Sequence, residues 1–158
     1  PMIFLALAIV GTLGPGLLNA MLAVAVVSLP GYARLVRGQV LALRERDYVV
    51  AARAAGATHG RILLRHLLPN ILSPLLVQAT LSVGSAILTT ASLSFLGLGT
   101  QPPTSDWGEM LASGRQYLPE AWWLAVFPGL FVMLAVLSVN LVGDGLRDYF
   151  DPKTKNEG

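Results

Sequence analysis

Long stretches without a charged side chain most constrain what this chain can fold into. Residues 1–33, 66–105 and 121–143 contain no Asp, Glu, Lys or Arg. A membrane-spanning helix needs about 20 apolar residues, whereas a buried helix of a water-soluble protein generally keeps a solvated face. The three blocks therefore predict an all-α fold, a polytopic membrane helical bundle.

Glycine and proline positions divide these blocks into about four spans. Gly14-Pro15-Gly16 predicts a break in the first block, and the piece before it is only about 20 Å long as a helix. Because that piece is too short to cross alone, we expect the chain to begin inside a longer span and to be N-terminally incomplete. The predicted spans are residues 1–13, 17–35, 71–96 and 121–142.

The distribution of charge predicts the orientation of these spans. Residues 34–65 hold seven arginines against two acidic residues, whereas residues 106–120 hold three acidic residues against one arginine. The positive-inside rule then predicts a cytoplasmic coupling loop at 36–68, an external loop at 97–120 and a cytoplasmic tail at 143–158. The basic loop also suits nucleic acid, but the spans on both sides of it account for the arginines, so no nucleic-acid partner is expected.

Several classes of chemistry are excluded or disfavoured by composition. The chain has no cysteine, and its two lysines, Lys153 and Lys155, follow no glycine-rich loop. A Walker-type nucleotide site is therefore not expected here, and any ATP hydrolysis belongs to another chain. His59 and His66 lie seven residues apart with no acidic or thiol ligand within one turn, so no metal site is expected.

The basic loop contains a pattern typical of two short helices joined by a turn. Good helix formers follow Asp47, which is placed to cap them, and Gly56 permits a chain reversal. A second helix is predicted from Thr58 or Gly60 to Leu67, ending before Pro69. The alanine-rich face suits docking into a groove of another protein, and a membrane-surface helix without a partner is the alternative.

This spacing resembles the cytoplasmic signature of the permease subunits of ATP-binding-cassette importers. That signature is Glu-Ala-Ala, three residues, Gly, nine residues, Ile, one residue and Leu-Pro. The chain has Val50 in place of Glu and His66 in place of Ile. The matching residues are Ala51, Ala52, Gly56, Leu68 and Pro69.

Three further stretches, residues 30–39, 91–103 and 140–148, are similar to the C-type subunits of the dipeptide, oligopeptide and nickel branch. The resemblance implies a transport subunit rather than an enzyme, in a bacterial or archaeal inner membrane, importing di- or oligopeptides. It also implies a second, different permease chain, two ATPases that hold ATP and Mg²⁺, and an external substrate-binding protein. The ATPase contacts that it implies are Val50, Ala51, Ala52, Arg53, Gly56, Ala57, Leu68 and Pro69.

Other functions remain open on the sequence. Nickel and glutathione-type substrates share this scaffold by resemblance, and an independent channel or membrane scaffold is a different class. A channel has no use for a cytoplasmic helix-turn-helix, which favours the importer. An intramembrane hydrolase lacks a glycine-flanked nucleophile with a base on a neighbouring span.

One helical face of the third predicted span is polar. Its members are spaced four, three, four and three residues apart. Small hydroxyl residues at such spacing allow membrane helices to pack closely, and they also suit the lining of a translocation path. The candidate path-lining residues are Gln78, Ser82, Ser85, Thr89 and Ser92.

The remaining acidic and amide residues receive simpler interpretations. Asp106, Glu109 and Glu120 are expected in a solvated external loop that is open to a binding protein. Asp144 is expected at the cytoplasmic interface, with an intramembrane proton relay as the alternative. Asn140, one turn deeper, is expected to bond a neighbouring helix.

Overall fold

The computed structural model describes residues 2–150, apart from the side chain of Phe150, and every regular element within them is helical. This confirms the all-α prediction. Lys153, Lys155 and the rest of the predicted tail beyond Phe150 lie outside the described residues. The helices are α1 (Met2–Leu13), α2 (Leu17–Leu43), α3 (Asp47–Ala54), α4 (His59–Ile62), a π-helical segment (Leu63–Leu67), α5 (Leu68–Phe95), α6 (Trp107–Gly114), a 3₁₀ turn (Arg115–Tyr117), α7 (Leu118–Ala121) and α8 (Trp123–Phe150).

The predicted break in the first block is confirmed. The backbone φ angles of Gly14 and Gly16 are 90° and 151°, which L residues with a side chain rarely adopt. The N–H of Gly16 donates to the carbonyl oxygen of Leu98 at 3.1 Å. The turn between α1 and α2 is thereby attached to the segment after α5.

Within residues 2–150, three helices are long and apolar enough to cross a membrane, which are Leu17–Leu43, the continuous helix His59–Phe95, and Trp123–Tyr149. The shorter α1 is apolar and has 12 residues, about 18 Å at 1.5 Å per residue. The prediction of about four spans therefore corresponds to three full-length helices and one short apolar helix.

Pro69 does not end a helix, so this part of the prediction is wrong. Leu63–Leu67 form a π-helical segment that joins α4 to α5 without interruption. A proline ring clashes with the carbonyl group four residues earlier in a regular α-helix, here that of Arg65. The π-helical segment contains Arg65 and widens the turn there, which lets the helix pass through Pro69.

The described residues form two compact units, each with its own core. The first unit comprises residues 2–29 and 80–142, and the second comprises residues 30–79 and 143–150. The core of the first unit includes Val10, Ala23 and Leu93, all completely or almost completely buried. The core of the second unit is the cluster Val49, Ile62, Leu67 and Ile71. Val49 and Ile62 belong to the arginine-rich segment at residues 34–65.

Candidate functional site

The beginning of α3 differs from the prediction. Arg46, not Asp47, occupies the N-cap position, and no side chain caps the helix there. Asp47 is instead the first helical residue, where its negative charge interacts favourably with the helix dipole. The carboxylate therefore stabilises α3 through charge rather than through the predicted capping hydrogen bond.

The end of α3 is a Schellman motif centred on Gly56. Gly56 has a φ of 80°, and its N–H donates to the carbonyl oxygen of Arg53 at 3.0 Å. The N–H of Ala57 donates to the carbonyl oxygen of Ala52 at 3.0 Å. These two bonds with a left-handed residue between them define the motif, so the predicted reversal at Gly56 is confirmed.

Four buried side chains hold α3 against the helix that follows it. Val49 is completely buried and packs with Ile62, Leu67 and Ile71. Ile62 and Leu67 are five residues apart, which is the spacing that a π-helical turn brings onto one face. The π-helical segment therefore lets Pro69 fit and also aligns the residues that anchor α3.

The residues that the importer resemblance assigned to ATPase contact lie mainly on the surface of the second unit. Val50 is 52% exposed. Ala52 and Ala57 are half-buried, and Ala57 packs against the core cluster. The other five are exposed, namely Ala51, Arg53, Gly56, Leu68 and Pro69.

Two helical extensions hold α3 beyond the predicted membrane spans. The helix α2 continues eight residues past the predicted span end at residue 35, to Leu43, which is about 12 Å along its axis. The continuous helix that contains α5 begins at His59, twelve residues or about 18 Å before the predicted span start at residue 71. The exposed face of α3 is thus attached at both ends to rigid helices.

The hydroxyl groups of the polar face donate to their own helix. Ser85 donates to the carbonyl oxygen of Ser82 at 2.9 Å, Thr89 to that of Ser85 at 2.7 Å, and Ser92 to that of Leu88 at 2.7 Å. Each hydroxyl has a single O–H, so its remaining capacity is as an acceptor. Along this part of α5 the face consequently offers acceptor oxygens. Gln78, at its other end, is exposed.

The segment after α5 is not a simple solvated loop, which corrects the prediction for residues 97–120. The Trp107 ring stacks on Phe131 at a centroid distance of 5.9 Å, and Phe131 lies eight residues into α8, about 12 Å along its axis. A Cβ added at Gly114 would lie 2.8 Å from the backbone of Leu124, at the start of α8. The helix α6 therefore runs antiparallel to the beginning of α8 and packs beside it.

Asp106 attaches α6 to the end of α5. Its Oδ2 accepts hydrogen bonds from the hydroxyls of Ser94 at 2.6 Å and Thr100 at 2.5 Å. Its Oδ1 accepts from the backbone N–H of Glu109 at 2.8 Å, which caps α6. The interpretation of Asp106 as a freely solvated loop residue is therefore wrong.

The ionisation of Asp106 reflects these contacts. Burial opposes the charged form and by itself raises the pKa, but hydrogen bonds from Ser94, Thr100 and the backbone of Glu109 and Gly108 outweigh it. The pKa of Asp106 consequently lies below its ordinary value of 3.8. The carboxylate is charged at neutral pH and holds its hydrogen bonds as an anion.

Two other residues that the sequence singled out have defined neighbours. Asn140 packs against α5, since a Cβ added at Gly84 would lie 2.7 Å from its Oδ1. The His66 ring lies 6.4 Å from the Tyr48 ring, tilted by 43°. Asp144 is exposed and lies within α8, and its position relative to the membrane interface stays a prediction.

Residues 1–156 match a protein family described as the binding-protein-dependent transport system inner membrane component. The chain belongs to this family. Together with the three long apolar helices, membership identifies it as a multi-pass membrane protein. The family predicted from the spaced motif is therefore confirmed.

The chain is also similar to named members of the peptide-transport branch. It is 57% identical over 156 residues to the di/tripeptide transport system permease protein DppC of Pseudomonas aeruginosa, covering 99% of this chain and 52% of that protein. It is 53% identical to the dipeptide transport system permease protein DppC of Alkalihalophilus pseudofirmus, covering 99% and 51%. It is 49% identical to the probable D,D-dipeptide transport system permease protein DdpC of Escherichia coli, covering 97% and 51%. The chain thus spans about half the length of these relatives.

Some residues that organise this family member were missed in the sequence. Ile62 and Leu67 do not fit an α-helical period, because a π-helical segment lies between them. Ser94 and Thr100 lie in a long uncharged block, so nothing marked them as partners of a carboxylate. A signal did exist for Asp106, since Asp106 and Glu109 have the spacing of a capping box.

Proposed function

We propose that the chain is part of a transmembrane permease subunit of an ATP-driven importer for di- and oligopeptides, and that it forms half of a translocation path. The observation that carries this proposal is the spaced motif on α3 and α5, presented on an exposed helix and turn between two helical extensions. The printed names of the relatives support peptides as the substrate class.

The coupling step follows from the rigidity of α3. Its Schellman turn and the buried Val49 fix it to the helices on either side. When ATP closes a dimer of ATPase subunits, a helix seated in each ATPase moves with it, and the attached spans change between inward-open and outward-open states. ATP and Mg²⁺ are bound by those ATPases, and this chain hydrolyses no ATP itself.

The partners complete the path and deliver the substrate. A second, different permease chain supplies the other half of the path, two ATPases dock on the cytoplasmic side, and an external binding protein delivers the peptide. The complex lies in the plasma membrane of a bacterium or archaeon. The acceptor oxygens of Ser85, Thr89 and Ser92 suit the ammonium and amide N–H groups of a peptide in transit.

A pair of matched variants tests the coupling role. Gly56 has a φ of 80°, which a β-branched residue such as valine strongly disfavours. Gly60 provides the control, because its φ is not positive and no atom lies within 4 Å of an added Cβ. In the intact importer in proteoliposomes, Gly56→Val should lower ATPase retention and peptide uptake about fivefold or more, because the strained turn costs roughly 1–3 kcal/mol. Gly60→Val should resemble the unsubstituted permease.

The proposal fails if the unsubstituted permease retains no ATPase under conditions that preserve membrane complexes. Equal behaviour of the two valine variants would remove the role of the Gly56 turn. The same uptake assay with glutathione and a nickel chelate identifies the substrate class, and uptake of either in place of peptides would overturn the peptide assignment.

A second pair of substitutions tests the path-lining face. Ser85→Leu with Thr89→Leu removes two acceptor oxygens and fills the face with apolar side chains, so uptake should fall while assembly is unchanged. Val83, on the same helix and 47% exposed, provides a control as Val83→Leu. Normal uptake by the double variant would assign the hydroxyl face to helix packing instead.

A further inference from the structure

The exposed side of α3 is a small apolar surface. Val49 faces the core of the second unit and is completely buried. Ala51 and Ala54, two and five residues further on, lie on the opposite side of the helix and are exposed. Val50 adds a branched apolar side chain that is 52% exposed. Such a surface allows a partner to approach the backbone of α3 closely.

Four exposed arginines lie in α3, at its N-cap or in the helix that follows it, namely Arg46, Arg53, Arg61 and Arg65. An ion pair within the described residues joins Arg44 to Glu45 at 3.1 Å, and it involves none of these four side chains. Residues 44–65 hold five arginines against Glu45 and Asp47, a net charge of +3.

Orientation in the membrane accounts for arginines at the ends of the spans. Arg34 and Arg37 lie within two residues of the predicted span end at residue 35, where anionic headgroups are in reach. Arg53 lies in α3, which is not part of any of the described helices that are long and apolar enough to cross a membrane. A protein surface therefore matches Arg53 better than lipid does.

We propose that the ATPase surface which receives α3 is acidic around an apolar centre, and that Val50 contacts this centre. The proposal rests on the coupling function proposed above and specifies the chemistry of its partner. Carboxylates on the ATPase would pair with Arg53 and Arg61, which sets the orientation of docking. A glutamate at the position of Val50 would pair with a basic residue on the ATPase. Val50 cannot make this pair, so a basic ATPase residue is not expected there.

Charge reversal tests the acidic partner. With the intact permease in nanodiscs, Arg53→Glu combined with Arg61→Glu should raise the Kd for the purified ATPase about tenfold at 0.1 M NaCl. The difference should shrink to less than about twofold at 0.5 M NaCl, because salt screens exposed charges. Arg115→Glu makes the same kind of charge change in the predicted external segment and should leave the Kd unchanged.

A substitution at Val50 tests the sign of the charge on the ATPase surface around it. Val50→Glu introduces the carboxylate of the family signature, and Val50→Gln is its uncharged match. Facing an acidic surface, Val50→Glu should bind the ATPase about threefold or more weakly than Val50→Gln. Tighter binding by Val50→Glu would overturn the proposal, because it would reveal a basic ATPase surface.

The remaining outcomes separate the proposals. If the unsubstituted permease binds no ATPase, the coupling function itself fails. If the ATPase binds with a Kd that charge reversal does not change, coupling stands and the acidic partner is excluded. If the effect of reversal appears in nanodiscs with phosphatidylglycerol and is absent in phosphatidylcholine alone, the arginines bind anionic lipid and the proposal is wrong.

Discussion

Replacing Asp106 with asparagine should loosen the attachment of α6 to the end of α5. Ser94 and Thr100 are buried, with 1% and 5% of their surface exposed. Water therefore does not readily replace the hydrogen bonds that their hydroxyls donate to the carboxylate. Asparagine keeps a side-chain oxygen for the N–H of Glu109 and caps helices as well as aspartate does. Its amide nitrogen, however, replaces the anionic oxygen that both hydroxyls use.

The magnitude follows from the two hydroxyl bonds. Hydrogen bonds to a charged group are roughly twice as strong as neutral ones, and a neutral bond contributes about 1 kcal/mol net. Losing the charge from two bonds should therefore cost about 2 kcal/mol of local stability, which is about thirtyfold in an opening equilibrium. The cost is local because the bonds join residues 94–109 and reach no other segment.

Amide hydrogen exchange of the intact permease in nanodiscs measures this opening. Amides of α6 should exchange about thirtyfold faster in Asp106→Asn than in the unsubstituted protein at pH 7, because exchange tracks the local opening equilibrium. Asp144→Asn removes the charge of an exposed carboxylate and should leave α6 unchanged. It controls for any general effect of the altered net charge.

The pH dependence gives the sign of the effect. The pKa of Asp106 is lowered in the folded protein, so its charged form stabilises the fold at pH values above the ordinary value of 3.8. That contribution is lost as the pH falls through the lower folded-state pKa. The ratio of exchange rates between variant and unsubstituted protein should thus shrink toward one below pH 3.8. A ratio near one at pH 7, or a large ratio that persists at the lowest pH, would refute the reasoning.

Two further substitutions test the packing inside each unit, one in the first unit and one in the second. Gly108→Ala should destabilise the purified permease by roughly 1–3 kcal/mol, since the added Cβ would clash with the backbone carbonyl of Ala91. Gly129→Ala meets only ordinary contact at 3.5 Å and should show little change in a thermal denaturation assay. Val49→Ala removes two completely buried methyl groups and should cost about 2 kcal/mol, counting the cavity left behind. Val50→Ala, on the exposed side, should cost less than about 0.5 kcal/mol, and exchange of the α3 amides distinguishes the two.

Local sequence signals predicted the features that local physics controls. The glycines at 14, 16 and 56 predicted breaks and turns, because a positive φ is accessible to glycine whatever surrounds it. The charge-free blocks predicted long apolar helices, because the bilayer requires them. The spaced motif predicted the exposed surface of α3 through resemblance to a family to which the chain belongs.

The predictions that were wrong concern residues whose structure depends on contacts with distant parts of the chain. Pro69 was expected to end a helix, yet the π-helical segment carries the helix through it and brings Ile62 and Leu67 onto one face with Ile71. Burial of these side chains with Val49 contributes more than the local cost of an irregular turn. Asp106 was assigned to a solvated loop because nothing local connects it to Ser94, twelve residues away.

The sequence by itself determined that this protein lies in a membrane, where its helices break, and which short helix carries the spaced family motif, since hydropathy, charge and glycine geometry act over a few neighbouring residues. Only the tertiary structure decided that the segment after α5 folds back as a helix against α8, and that Asp106 attaches it. The physical reason is that such contacts depend on which distant backbones can approach one another. The absence of a side chain lets Gly108 approach the backbone of Ala91 and lets Gly114 approach the backbone of Leu124. No pattern along the chain shows which backbone each glycine contacts.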